Sequence, residues 1–196
     1  VVDYSKRVQA ASFSIAALTK SQAAVAQAQA IATREMKAGR AAYSDTLASL
    51  DELTPVANRT GEAIDDLFKT SQLLATLNSG PGGGVSGAII AISEALAGDW
   101  TSAIERFNLP RQQINQWKAE GVPALEILNR ALAQSGVTMD TVTAKSKTAD
   151  VQQKILLDTL AKLGAEAGGQ QGLDLFTTAL IGLNKAAQSD AVAKFA

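Results

Sequence analysis

The stretch from Tyr4 to Leu53 reads YSKRVQAASFSIAALTKSQAAVAQAQAIATREMKAGRAAYSDTLASLDEL, with no proline and a single glycine, Gly39. Steps of four and three residues from Tyr4 pass through Val8, Ala11, Ile15, Leu18, Gln22, Val25, Gln29, Ala32, Met36, Gly39, Tyr43, Thr46, Leu50 and Leu53, most of them apolar. That spacing lines one side of an α-helix. The interruptions at Gln22, Gln29, Gly39 and Thr46 narrow the stripe to a heptad-like seam. Two readings stay open: one long helix of about 75 Å at ~1.5 Å per residue, or a helical hairpin broken near Gly39. Val8, Ile15, Leu18, Val25 and Met36 are the expected self-association seam.

The rest of the chain bounds what such a helix can belong to. At 196 residues and 46% hydrophobic content the sequence supports a buried core, and a high alanine content with only 5% aromatics favours closely packed helices over sheet. The fold class is all-α: the long N-terminal helix or hairpin, followed by a compact array of short helices. Lys and Arg total 18 against 19 Asp and Glu, so no global charge draws the chain to nucleic acid or an anionic membrane. The absence of cysteine and histidine removes disulfides, thiolate nucleophiles, imidazole bases and most transition-metal sites. The longest apolar runs, Gly87 to Ile92 and Phe176 to Leu183, fall short of the ~20 residues of a spanning helix. The chain begins at Val1 rather than Met and reads as a segment of something longer.

Beyond Leu53 the punctuation changes. Pro55, Pro110 and Pro123 stand where helices start, and Gly98, Gly121 and Gly136 where helices stop. Helices are expected near residues 55–77, 86–97, 100–107, 110–120, 123–135, 140–164 and 172–193. The organisation is a long helical segment over 1–53, a short-helix region over 54–164 with a Gly-rich linker at 78–87, and a C-terminal helix in 165–196.

None of the chemical motifs is complete. The run Gly80-Pro81-Gly82-Gly83-Gly84 lacks the Gly-Lys-Ser/Thr of a phosphate loop, since Val85 and Ser86 follow it. Asp51-Glu52 and Asp65-Asp66 are adjacent on a helix, about 100° apart, and form no dyad by themselves. Ser86 has no histidine to activate it. Asn58-Arg59-Thr60 matches a glycosylation sequon, a short pattern that decides nothing here.

One local pattern is fuller. From Ser102 to Gly121 the sequence SAIERFNLPRQQINQWKAEG fits a helix-turn-helix: Asn108 takes the left-handed turn position and Pro110 opens a second helix. Ile104, Phe107, Leu109, Ile114, Trp117, Leu125, Leu128 and Leu132 are the expected core of the short-helix region. In a DNA-binding alternative, Arg111, Gln112 and Asn115 contact bases. Against it, the segment sets Arg106, Arg111 and Lys118 against Glu105 and Glu120, while DNA binding starts from several phosphate contacts.

The flanks carry a resemblance. NRTGEAIDDLFKTSQLLATLNSGPGG (Asn58 to Gly83), then the stretch Ala88 to Gln152 with ALAGD, the Phe107-Asn108 turn, EILNRAL, Gly136-Val137-Thr138 and Lys147-Thr148, resembles the tail length tape-measure proteins of long-tailed bacteriophages over roughly residues 54–160. Those proteins often place a glycine after the Lys-Thr segment, where Ala149-Asp150-Val151 continues directly here. The resemblance implies a virion structural protein whose copies lie along the tail tube lumen, set the tube length, and leave with the DNA at infection. It implies as partners other copies of the chain, tail tube and tail tip proteins, tail assembly chaperones in the host cytoplasm, and the host envelope during ejection. It implies no cofactor, no metal, no specific nucleic-acid binding and no catalytic residue; the motif of the wall-cutting domains some members carry is absent from these residues.

Overall fold

The computed structural model describes residues 2–166, and among them it is all-helical, with ten helices and no strand. The expected helix at 172–193 lies outside the described residues. Where one long helix or a hairpin was expected, three helices occur: α1 (Val2–Thr19), α2 (Gln22–Lys37) and α3 (Tyr43–Thr60). The first break falls at Lys20, which adopts φ 53° and donates its amide to the Ala16 carbonyl at 2.8 Å. Ser21 then caps α2, accepting from the Ala24 amide. The second break is at Gly39, φ 66°, where Arg40 N–H bonds Glu35 C=O and Gly39 N–H bonds Met36 C=O, a Schellman end.

Helix α3 starts without a cap from its own N-cap residue, Ala42. Its Ser44 amide donates instead to the Asp158 carboxylate at 2.6 Å, and Ser44 Oγ to the other carboxylate oxygen at 3.0 Å. The expected helix over 55–77 is corrected by α3 running through Pro55 to Thr60, followed by α4 (Ile64–Leu77). Burial of Leu50, Leu53 and Val56 on the inner face holds α3 together across the missing proline N–H, and Gly61 at φ 76° ends it. The 53/54 junction therefore falls inside a helix.

The remaining elements are α5 (Gly84–Leu96), α6 (Thr101–Phe107), α7 (Arg111–Ala119), α8 (Ala124–Gln134), α9 (Met139–Ser146) and α10 (Ala149–Glu166). The expected helix over 140–164 is two, α9 and α10, divided at Lys147-Thr148, where Gln152 Nε2 takes the Ser146 carbonyl at 2.8 Å and the Gly39 carbonyl at 3.0 Å. Part of the expected 78–87 linker belongs to α5. The rest is tied down: Gly84 N–H meets the Asn78 carbonyl at 2.7 Å, and Asn78 Nδ2 donates to the Arg106 carbonyl. A Cβ on Gly87 would sit 2.3 Å from the Gly82 carbonyl oxygen, so the loop lies against the first turn of α5.

Arg7 pairs with Asp45, and Asn58 Nδ2 reaches the Leu18 carbonyl, so α1 runs alongside α3 in the same direction with α2 returning between their ends. Helix α4 packs on α3 and α5, α6 on α5, α8 on α4, α5 and α7, α9 on α4, and α10 returns to α1 and α3. One continuous apolar cluster runs through this arrangement, from Ile15, Ala28 and Ile31 through Leu47, Leu50, Leu67 and Phe68 to Ile92, Phe107, Ile114 and Leu128.

Candidate functional site

The turn of the helix-turn-helix pattern is present. Asn108 has φ 53° and ψ 39°, ending α6, and α7 begins after Pro110. Phe107, Leu109, Ile114, Leu125, Leu128 and Leu132 are buried in the core; Ile104 and Trp117 are partly buried against it. Arg111, Gln112 and Asn115 are exposed. However, α7 takes its main partner in α8 and α6 in α5, and several of the nearby charges are answered locally. Arg111 lies 3.6 Å from Glu105, Gln116 donates to Glu120, and Arg130 pairs with Glu126 while standing 6.0 Å over the Trp117 ring.

The seam residues of the first stretch point inward. Ile15 is 1% exposed, and Val8, Val25 and Met36 pack partly buried against the same core. Leu18 departs from them at 46% exposed. In the folded chain four of the five are occupied by intramolecular packing, because α1 and α2 lay the stripe on α3.

The densest polar arrangement is one that sequence reading passed over. Glu35 is fully buried on α2, and its carboxylate accepts from Arg40 Nε at 2.7 Å and Arg40 Nη2 at 2.8 Å, from Arg34 Nε at 2.9 Å and from Gln72 Nε2 at 3.1 Å. Burial pushes this carboxyl upward, but the bonds from Arg40, Gln72 and Arg34 outweigh it and hold it below the ordinary range. The Arg34 guanidinium also grips Asp65 at 3.0 and 2.6 Å, which holds that carboxyl low as well, and Lys69 adds a contact at 2.9 Å. The result fastens α2 and its following turn to α4. A carboxylate with four donors has no free lone pair for proton transfer, so the geometry is that of a clamp. The adjacency Arg34-Glu35 was visible in sequence; the partners Arg40, Asp65 and Gln72 lie off the usual i, i+4 spacing and gave no signal.

Beside the clamp, an open cleft of about 980 Å³ runs between α3, α4, α9 and α10, with Phe68, Val85, Val142 and Val151 among its apolar walls and Arg40, Asp45, Glu52 and Lys145 among its polar ones. Lys154 at 3.0 Å and Arg7 at 3.0 Å both pair with Asp45 across its mouth, and Lys145 donates to the Thr76 carbonyl. Burial raises the Asp45 carboxyl, and the two cations more than offset it. Burial, then the neighbouring Asp51, pushes Glu52 up. Ser86 lies on the same wall, and the chain has no histidine to activate it. Among the described residues no three acidic side chains converge to hold a metal ion, and no helix is long and apolar enough to cross a membrane.

Comparison with protein-family models, with curated proteins and with solved structures returned no match.

Proposed function

We propose that this chain is a helical segment of a tape-measure protein of a long-tailed bacteriophage, a structural component that contributes to tail tube length and leaves with the DNA. The observation that carries the reading is the ordered punctuation of residues 54–160. Its ALAGD, Phe-Asn, Gly and Gly-Val-Thr points coincide with helix ends at Gly98, Asn108, Gly121 and Gly136, each in the left-handed region. A run of helices ended by such turns suits a ruler assembled from folded units. The partners of this reading are further copies of the chain, tube and tip proteins, assembly chaperones, and the envelope at ejection. Its place is the tube lumen of the virion, and no residue is assigned catalysis.

The folded form changes what the ruler adds. Three packed helices contribute about one helix length, ~27 Å for the 18 residues of α3, where a continuous helix over the same segment would contribute about 75 Å or more. Deleting residues 2–60 in frame from the phage gene and measuring tails by electron microscopy tests the role. Shorter tails of uniform length support it; tails of unchanged length reject it.

The DNA-binding alternative draws on the exposed Arg111, Gln112 and Asn115 after the Asn108 turn. Micromolar binding to random duplex with a steep salt slope would favour that alternative over the tail role.

A further inference from the structure

The cleft between α3, α4, α9 and α10 carries a polar atom that the Glu35 clamp does not use. Gln72, 5% exposed on α4, stands in the cleft wall and donates its amide nitrogen to Glu35 at 3.1 Å. The Glu35 carboxylate, ionised among its guanidinium partners, only accepts, so this bond fixes which end of the Gln72 amide is nitrogen and turns Oε1 away from the clamp. Among the described residues Oε1 has no hydrogen-bond partner. A buried acceptor in that state costs free energy that an incoming donor recovers.

The other polar groups of the cleft say what kind of donor. Arg40 is held by Glu35, Arg7 and Lys154 by Asp45, and Lys145 by the Thr76 carbonyl. Thr46, Ser49, Thr76 and Ser146 donate their hydroxyls to carbonyls one turn back and can then only accept. Glu52, on the α3 side of the same cleft, has no cation paired with it among the described residues, and burial, then Asp51, pushes its carboxyl up. A positive charge beside Glu52 would relieve that push. Phe68, Val85, Val142 and Val151 supply apolar wall, and about 980 Å³ is a volume that small organic ligands use. The chemistry that completes the cleft is therefore a cationic donor on an apolar body. We propose that the cleft binds a primary alkylamine, its ammonium group donating to Gln72 and Glu52 and its hydrocarbon lying along Phe68, Val85 and Val142. An ammonium group carries three donors and no acceptor, which suits acceptors presented by α3 and α4 together. A carboxylate head would be repelled by Glu52, and the cations that could hold it already have acceptors. The site is independent of the tail role and of any contact between copies.

Titrating the isotope-labelled full chain with hexylamine, hexanol and hexanoate at neutral pH, followed by NMR, tests it, since these probes share one hydrocarbon and differ in the head group. Hexylamine should saturably shift the Gln72 side-chain amide and the backbone amides of Ala48, Ser49 and Val142. It should bind about 10-fold or more tighter than hexanoate, with hexanol between them. Glu52→Gln, at an exposed position, should weaken hexylamine about 10-fold and leave hexanol unchanged. Gln72→Met keeps the side-chain length but removes Oε1, and should weaken hexylamine and hexanol alike, with circular dichroism checking that helicity is kept. Ala48→Leu fills the cleft from α3 and should weaken every probe. Absence of hexylamine binding, equal affinity for the three heads, a preference for hexanoate, or binding indifferent to Ala48→Leu would each overturn the proposal. Should Gln72→Met fail to fold, the loss of hexylamine preference in Glu52→Gln decides alone. None of these outcomes bears on tail length, so the in-frame deletion decides the functional role separately.

Discussion

The two ends of the described chain are held by different kinds of contact. Helices α6 to α9 are delimited locally: Asn108, Gly121 and Gly136 turn left-handed, Pro110 and Pro123 stand just before helices, and Thr138 and Thr141 form a reciprocal cap. In helices α1 to α3 the turns at Lys20, Gly39 and Gly61 are local too, but the groups that fasten these helices to the rest lie far away in sequence. Asp158 caps α3, Asp45 gathers Arg7 and Lys154, and Glu35 is satisfied by a turn and by α4. A turn that carries Asn, Gly or Pro is legible alone, as at Asn108, Gly121 and Gly39. A turn without one, as at Lys20 or Lys147-Thr148, reads as continuous helix until the rest of the fold is present.

Substitutions on both sides probe this contrast. Ile15→Asp should have the largest effect, a loss of about 4 kcal/mol or more in urea unfolding, because it buries an unpaired charge in the core. Leu18→Asp, three residues on and 46% exposed, should cost far less, about 1 kcal/mol or under. Equal effects at the two sites would mean that α1 does not lie on α3 as described.

Glu35→Ala should follow, at about 3 kcal/mol, since it strands Gln72 and the partly buried Arg40 without their acceptor. The same clamp fixes a pH dependence. Glu35, Asp65 and Asp45 all hold their protons less tightly in the folded chain than in the unfolded one. Their stabilisation is therefore complete above the unfolded carboxylate range, near about pH 4, and is lost as pH falls through the lower folded values. Thermal scans from pH 6 to pH 2 should show the midpoint dropping at the acid end, and Glu35→Gln should flatten the drop.

Asp158→Ala removes the distant cap of α3 and should cost about 1 to 2 kcal/mol. Hydrogen exchange should then rise at Tyr43 and Ser44 while α6 to α8 stay protected. Lys20→Gly should have a small effect of the opposite sign, a gain of up to about 1 kcal/mol from relieving a left-handed non-glycine residue. Gly121→Lys, the reverse exchange at the locally delimited end, should lose a similar amount.

How far the sequence could be read follows from the same contrast. Gly98, Gly121 and Gly136 were legible as helix stops because glycine is the residue a left-handed end calls for. Lys20 was not, since nothing in a lysine announces φ 53°, and the three-four stepping of apolar residues continued across it undisturbed. Pro55 misled in the other direction: the rule that proline opens a helix gave way to burial of Leu53 and Val56 on either side. The core of the short-helix region was readable from Leu125, Leu128 and Leu132, which recur at helical spacing on α8. The Glu35 clamp was not, because Arg40, Asp65 and Gln72 come together around Arg34 and Glu35 only in the fold. Phe13 could not be told from Ile15 by hydrophobicity; only the direction of α1 against α3 separates the ring in water from the aliphatic side chain inside.

The central claim is that the first forty residues fold back instead of running on as a ruler. Spin labels at Lys6→Cys and Lys37→Cys in this cysteine-free chain measure it directly, since both sites are exposed and neither is used by the clamp. The fold-back places Arg7 against Asp45, just past the end of α2, and predicts a label separation of roughly 20 Å, the span of two adjacent helices. A separation near about 47 Å, the length of one uninterrupted helix between the two sites, would contradict it.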